Sequence, residues 1–189
     1  GFLLKHRTQL SAGQSLDASV VARIKALSAR YKVASPSAMN AMDIRWDKLL
    51  QRVDTLPVSL VLAQAANESG WGTSRFALDG NNFFGVWCYV EGCGLKPKQR
   101  DQGATHEVKR YASIYDSVTA YIHNINTNSA YADLRAIRRS LRGLNTPSLG
   151  SQLAEGLRAY SVRGEAYVRE IQAMIRSNRL EQRAAAEQV

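Results

Sequence analysis

Several absences narrow what this chain can be. Two cysteines among 189 residues are too few for a disulfide-built scaffold. They also fall short of the four ligands that a structural zinc takes. The three histidines, His6, His106 and His123, are far apart and show no His-x-x-x-His spacing, so neither a metal nor any other cofactor is expected. No Gly-rich phosphate loop is present, because the Gly70-Trp71-Gly72 turn neither follows a strand nor supplies the lysine of a P-loop. Hydrophobic runs are short. Leu60 to Ala63 is cut by Gln64, Asn67 and Glu68, well below the roughly 20 apolar residues that span a bilayer, so no integral membrane segment is expected. Phe2, Leu3 and Leu4 are too few for a secretory apolar region, and a signal or anchor is expected to lie outside this fragment.

Negative charge is also scarce. Twenty-five Lys and Arg stand against 16 Asp and Glu, for a net charge of +9, which suits an anionic partner: nucleic acid, an acidic membrane surface, or a carboxylate-bearing polymer such as cell wall. What is present suffices for a core, since 45% of residues are hydrophobic and a chain of this length buries roughly 70% of its unfolded surface. Apolar residues recur at three- and four-residue steps from Leu16 to Tyr31 and predict an amphipathic helix. A second helix is predicted from about Asp43 to Val53, and a third from Pro57 to Ser69, ended by Gly70. The helical period returns from Ile114 to Ile125, from Leu134 to Leu141, from Leu149 to Leu157 and from Tyr167 to Ile175, with a fraying helix at the end. The fold class is therefore mainly α. Residues 1–54 read as a helical arm that packs on a domain of residues 55–189.

Between Gly80 and Tyr111 the helical period lapses and glycines gather with Phe83, Phe84, Trp87 and Tyr89. This predicts a loop with a short hairpin, Glu107 to Tyr111 being one strand. Cys88 and Cys93 fall here, where Gly92 and Gly94 permit the tight turn of a small disulfide ring; two separate thiols are the alternative.

Glu68 is the most informative residue. On the third helix it shares a row with Leu60 and Gln64, which turns it inward or into a cleft. It also sits at the negative end of the helix, with Trp71 able to exclude water. Both effects are expected to raise its pKa above the ordinary value of about 4.3, as a general acid near neutrality requires. A carboxylic acid over an aromatic-lined groove suits protonation of a sugar linkage.

The segments QAANESGWG, NNFFGVWC and LRAYSVRGEAYVREIQ resemble the glucosaminidase family of bacterial cell-wall hydrolases. GCG, THEV and YIHNINTNSAYADLR are similar to its Bax-like branch, and the resemblance covers about Leu56 to Arg176. It implies a lysozyme-like helical domain with a small β-hairpin lobe that cleaves the β-1,4 bond after N-acetylglucosamine in peptidoglycan or a related glycan. By the same resemblance Glu68 is the catalytic acid, and Tyr160 and Tyr167 lie near the cleft. Gln64, Trp71, Asn82, Phe83, Phe84, Trp87, Tyr121 and Tyr167 become candidate substrate contacts, with Tyr160 a candidate helper in catalysis. The second carboxylate departs from the family pattern. Glu107 is the first choice and Asp101 the other, with Glu107 facing either a cleft or solvent. The alternative is assistance by the acetamido group of the substrate.

Arg135, Arg138, Arg139 and Arg142 form a basic stripe, read as a solvated helix face ahead of a binding surface for acidic peptides or phosphates. Nucleic acid is not the expected partner, because the aromatics cluster away from these arginines. A lytic transglycosylase and a non-catalytic glycan-binding module are the rival readings. A disulfide and a cell-wall substrate together place the protein in the periplasm or at the cell surface.

Overall fold

A computed structural model describes residues 1–33, 44–98, 103, 105–144, 146 and 148–186. Asp101 and the predicted helix start at Asp43 lie outside the described residues. The chain is mainly α with one small antiparallel sheet. At its centre runs α4 (Val58–Ser69), bracketed by Pro57 as its N-cap and by Gly70, whose φ of 57° is left-handed. Proline there forfeits no helical hydrogen bond, and glycine turns the chain out of the helix without a Cβ clash. Leu60, Ala63 and Gln64 face inward against α8 (Leu149–Ala154), α9 (Glu165–Ser177) and α10 (Leu180–Ala186). The surrounding core includes Tyr121 and Ile125 of α6 (Ile114–Thr127) and Leu134 of α7 (Ala132–Ser140), with Leu153, Leu157, Ile171 and Ile175. Each fully buried aliphatic side chain contributes about 1.5–3 kcal/mol. The predicted Leu149 to Leu157 stripe changes pitch midway, passing from α8 into a 3-10 segment, Glu155–Tyr160.

The N-terminal residues build a second core. Leu3 of α1 (Phe2–Ser11), Ile24 of α2 (Ala18–Arg30), and Leu49 and Leu50 of α3 (Trp46–Arg52) close around Val33 and Ile44. Here α1 is a helix that the sequence pattern did not announce.

The arginine stripe is a correction. Arg135 and Arg138 are buried, and among the four only Arg139 and Arg142 reach solvent. Arg138 donates to the carbonyls of Gln51 at 2.7 Å and Thr55 at 2.9 Å, and Arg142 to that of Leu50 at 2.9 Å. Both pair with Asp54. Arg135 donates to the carbonyls of Ile125 and Asn128, each at 2.8 Å. Except for Thr55, which lies in the loop beyond α3, these are carbonyls at the C-terminal ends of α3 and α6, where cations are favoured. Burial pushes the Arg138 guanidinium down to about 10, against the pull of Asp54, so it remains charged at neutrality. Arg138 and Arg142 join the two cores, and only part of the stripe is the solvated face the sequence suggested.

The sheet has the order β1-β3-β2, from β1 (Trp87–Cys88), β2 (Gly94–Leu95) and β3 (Glu107–Lys109). Trp87 pairs with Val108, and Leu95 pairs with Val108 from the other side. A disulfide joins Cys88 to Cys93 with the Cα atoms 6.2 Å apart, closing the turn between the outer strands. A Cβ at Gly94 would stand 2.0 Å from the Val108 carbonyl oxygen, so only glycine lets the strands approach. Beside the sheet lies α5 (Arg75–Gly80).

Candidate active site

The local conformation after α4 exposes one side chain and anchors another. Gly70, Trp71 and Gly72 follow one another at φ of 57°, 58° and 76°. A left-handed conformation at a non-glycine residue costs on the order of 1–3 kcal/mol and persists only where its surroundings enforce it. Ser69 supplies the enforcement: its hydroxyl donates to the Ala65 carbonyl at 2.6 Å and accepts from the Gly72 N–H at 2.7 Å. Trp71 is thereby held on the surface, 62% exposed, three residues beyond Glu68. The sequence pattern did not single out Ser69, although its place between the acid and the Gly-Trp-Gly turn is the signal for it.

Glu68 is half-buried. Its Oε1 accepts from the Tyr167 hydroxyl at 2.9 Å and from the Asn67 side-chain amide at 3.3 Å. The other oxygen, Oε2, faces Gly85, where a Cβ would lie 3.8 Å away; the φ of 65° there also favours glycine. The two oxygens are therefore unlike. Oε1 is engaged as an acceptor, so a proton carried by this carboxyl belongs on Oε2.

Behind Glu68 the polar groups form a chain. The Tyr121 hydroxyl donates to Gln64 Oε1, and Gln64 Nε2 donates to the Tyr167 hydroxyl oxygen at 2.9 Å. Gln64, Tyr121 and Tyr167 are at most 2% exposed. Burial, together with the neighbouring Glu68 charge, raises the pKa of Tyr121 and of Tyr167, so both remain neutral donors. Tyr160 is half-buried and stacks on Tyr167 with ring centroids 5.3 Å apart, and its hydroxyl donates to the Phe84 carbonyl at 3.2 Å. Phe84 in turn stacks on Tyr121 at 4.0 Å.

The remaining candidates divide into surface and support. Trp71 and Trp87 are open to solvent, the latter stacked on His106 at 4.1 Å, and Phe83 is half-buried. Asn82 is closed off at 2% exposure: its amide nitrogen serves the Val86 and Lys109 carbonyls, and its oxygen accepts from the Phe84 and Val86 N–H groups. Gln64, Asn82, Phe84, Tyr121 and Tyr167 thus lie beneath the surface, behind the exposed tryptophans.

Of the two sequence alternatives for Glu107, solvent is excluded, and the residue lies at the wall of a cavity of about 410 Å³. It is 2% exposed, and its two oxygens accept from the Gly92 N–H at 3.2 Å and the Gly94 N–H at 2.8 Å. The carboxylate holds the disulfide turn. Both sulfurs lie within 4.8 Å of it, but bonded to each other they offer a metal no thiolate. Glu68 lines neither this cavity nor the three others of about 430 to 650 Å³. Glu68 stands beside Gly85, directly ahead of the Gly-Trp-Gly turn.

A helical domain with one differentiated carboxyl and a turn that exposes an adjacent tryptophan has features that a glycosidase can use, and the family comparison points to that class. The chain belongs to the glucosaminidase family, whose model, described as mannosyl-glycoprotein endo-beta-N-acetylglucosaminidase, matches residues 44–180. It is 37% identical over 157 residues to Protein bax of Escherichia coli (strain K12), an alignment covering 83% of this chain and 55% of that protein. The chain thus spans little more than half the length of the curated relative it matches. No solved structure matches it. Among the described residues, no helix is long and apolar enough to cross a membrane.

Proposed function

We propose that this domain is a glycoside hydrolase that cleaves the β-1,4 linkage after N-acetylglucosamine in peptidoglycan or a related glycan, with Glu68 as general acid. The observation that carries the reading is the asymmetry of Glu68: Oε1 is held by Tyr167 while Oε2 is turned to the face that Gly85 leaves clear. From Oε2 the proton passes to the glycosidic oxygen as the bond from that oxygen to the sugar C1 breaks, and positive charge develops on the ring. Trp71, Trp87 and Phe83 offer rings on which sugar faces can stack.

The second group is the acetamido of the substrate. Glu107 favours this route, because both its oxygens are engaged by backbone N–H groups in a closed turn. The acetamido oxygen attacks C1 as the leaving group departs; water then opens the cyclic intermediate and gives its proton to the Glu68 carboxylate, with retention at C1. Tyr160 supports this chemistry through its ring, which backs Tyr167. The disulfide and the family support a location outside the cytoplasm, in the periplasm or at the cell surface.

Digestion of purified peptidoglycan followed by mass spectrometry tests the reading. Products with reducing N-acetylglucosamine ends support it. Anhydro sugars would assign a lytic transglycosylase in its place, and binding without turnover, unchanged in Glu68→Gln, would assign a glycan-binding module.

A further inference from the structure

Tyr121 lies outside hydrogen-bond reach of Glu68 in the observed chain and is 1% exposed, yet its hydroxyl governs the direction of every hydrogen bond between them. A tyrosine hydroxyl has one proton to give, and a glutamine amide has distinct donor and acceptor ends. With Tyr121 donating to Gln64 Oε1, Gln64 must present Nε2 to Tyr167, and the single proton of Tyr167 is left for Glu68 Oε1. The opposite polarity is conceivable: Gln64 turns over, Tyr167 donates to its oxygen, and Glu68 is protonated on Oε1 to donate to Tyr167. In that arrangement Gln64 Nε2 takes up the Tyr121 oxygen, and the Tyr121 proton loses its one acceptor among the described residues, at a fully buried site. An unsatisfied buried donor costs about 1–3 kcal/mol, enough to select one polarity.

We infer that Tyr121 is a positioning residue which, through Gln64 and Tyr167, keeps the proton of Glu68 on the outward oxygen Oε2. The inference rests on the reading of Glu68 as an acid only for its consequence in catalysis; the hydrogen-bond polarity stands without it. Among the described residues, four tyrosines on other elements feel the Glu68 charge: Tyr121 of α6, Tyr131 of the 3-10 turn Ser129–Tyr131, Tyr160 of the 3-10 segment, and Tyr167 of α9. Burial raises the pKa of all four, so none supplies a competing charge near neutrality. Glu68 is then the group whose titration the chain should report.

The test is a carbon-13 NMR titration of the side-chain carboxyl of Glu68, assigned by its loss in Glu68→Gln. Tyr167→Phe removes a hydrogen bond to the ionised carboxylate and is expected to move the Glu68 midpoint upward by roughly one pH unit. Tyr121→Phe removes no contact with Glu68 but relaxes the polarity, and is expected to move it upward by roughly half a unit. Tyr111→Phe is the control, a buried hydroxyl with no hydrogen-bond partner among the described residues, and it should leave the midpoint in place. A Tyr121→Phe midpoint equal to wild type, or an equal shift in Tyr111→Phe, overturns the inference.

Should Tyr121→Phe fail to fold, wild-type protein labelled at the tyrosine ring carbon that bears oxygen decides. The Tyr121 resonance must move with the Glu68 midpoint, and a resonance unmoved across that midpoint overturns the inference. If the shifts occur while wild type cleaves no glycan, the hydrolase reading fails and the relay stands.

Discussion

Tyr167 meets Glu68 through a 2.9 Å hydrogen bond to Oε1, and its own ring is held by stacking on Tyr160 at 5.3 Å. The pairing joins α9 to the end of α4, so the acid is positioned by the core and not by a loop. A group fixed in this way is preorganised, and its chemistry depends on residues far from it in sequence.

Trp71 and Trp87 are both exposed, and neither supports the core. Replacing either with alanine should lower kcat/KM on peptidoglycan by about tenfold, the worth of one lost ring contact. Urea unfolding should show a stability change within about 0.5 kcal/mol for each variant.

Arg138 predicts the opposite pattern. Its removal strands the carbonyls of Gln51 and Thr55 and leaves Asp54 with less compensation. Arg138→Ala should therefore cost about 3–5 kcal/mol in urea unfolding, as breaking a buried ion pair does, while the residual folded fraction retains its activity.

The buried tyrosines set an alkaline limit. Tyr111, Tyr121, Tyr131, Tyr160 and Tyr167 all have pKa values raised by burial above the ordinary value of 10.0. In the unfolded chain they ionise near that ordinary value, so above it the unfolded state holds fewer protons than the folded one. Their contribution to stability is whole below about pH 10 and is lost as pH rises beyond it. Absorbance at the tyrosinate band should show these five ionising together with loss of helical circular dichroism, not before it.

The disulfide should matter locally. Closing a loop as short as Cys88–Cys93, with sequence separation 5, contributes about 2 kcal/mol through the unfolded state. Reduction should loosen the turn that Glu107 grips through Gly92 and Gly94. Amide exchange should then rise at Gly92 and Gly94, with the helices of the main core unchanged.

The helix carrying Glu68 was legible because its punctuation is local: Pro57 and Gly70 announce its ends, and Leu60, Gln64 and Glu68 share a face. The family motif likewise pointed to Glu68. Other features depend on distance. Gln64 and Tyr167 are 103 residues apart, and no spacing rule links them. The arginine stripe has the period of a solvated face, and only the docking of α3 against α7 turns it into a clamp on carbonyls. Glu107 looked like a free strand residue because alternation gives a face but not what covers it; the disulfide turn folds over that face. The helix α1 escaped notice since its apolar residues meet a second core that the sequence pattern did not separate from the first.

General-acid catalysis has a direct test in the leaving group. Natural linkages need protonation of a poor leaving oxygen, whereas a dinitrophenyl glycoside of an N-acetylglucosamine oligomer departs without it. Comparing Glu68→Gln with wild type on both substrates, the account predicts a loss of about 10²–10⁴-fold on peptidoglycan and a far smaller loss on the dinitrophenyl substrate. Equal losses on the two, or full activity of Glu68→Gln on peptidoglycan, would contradict it.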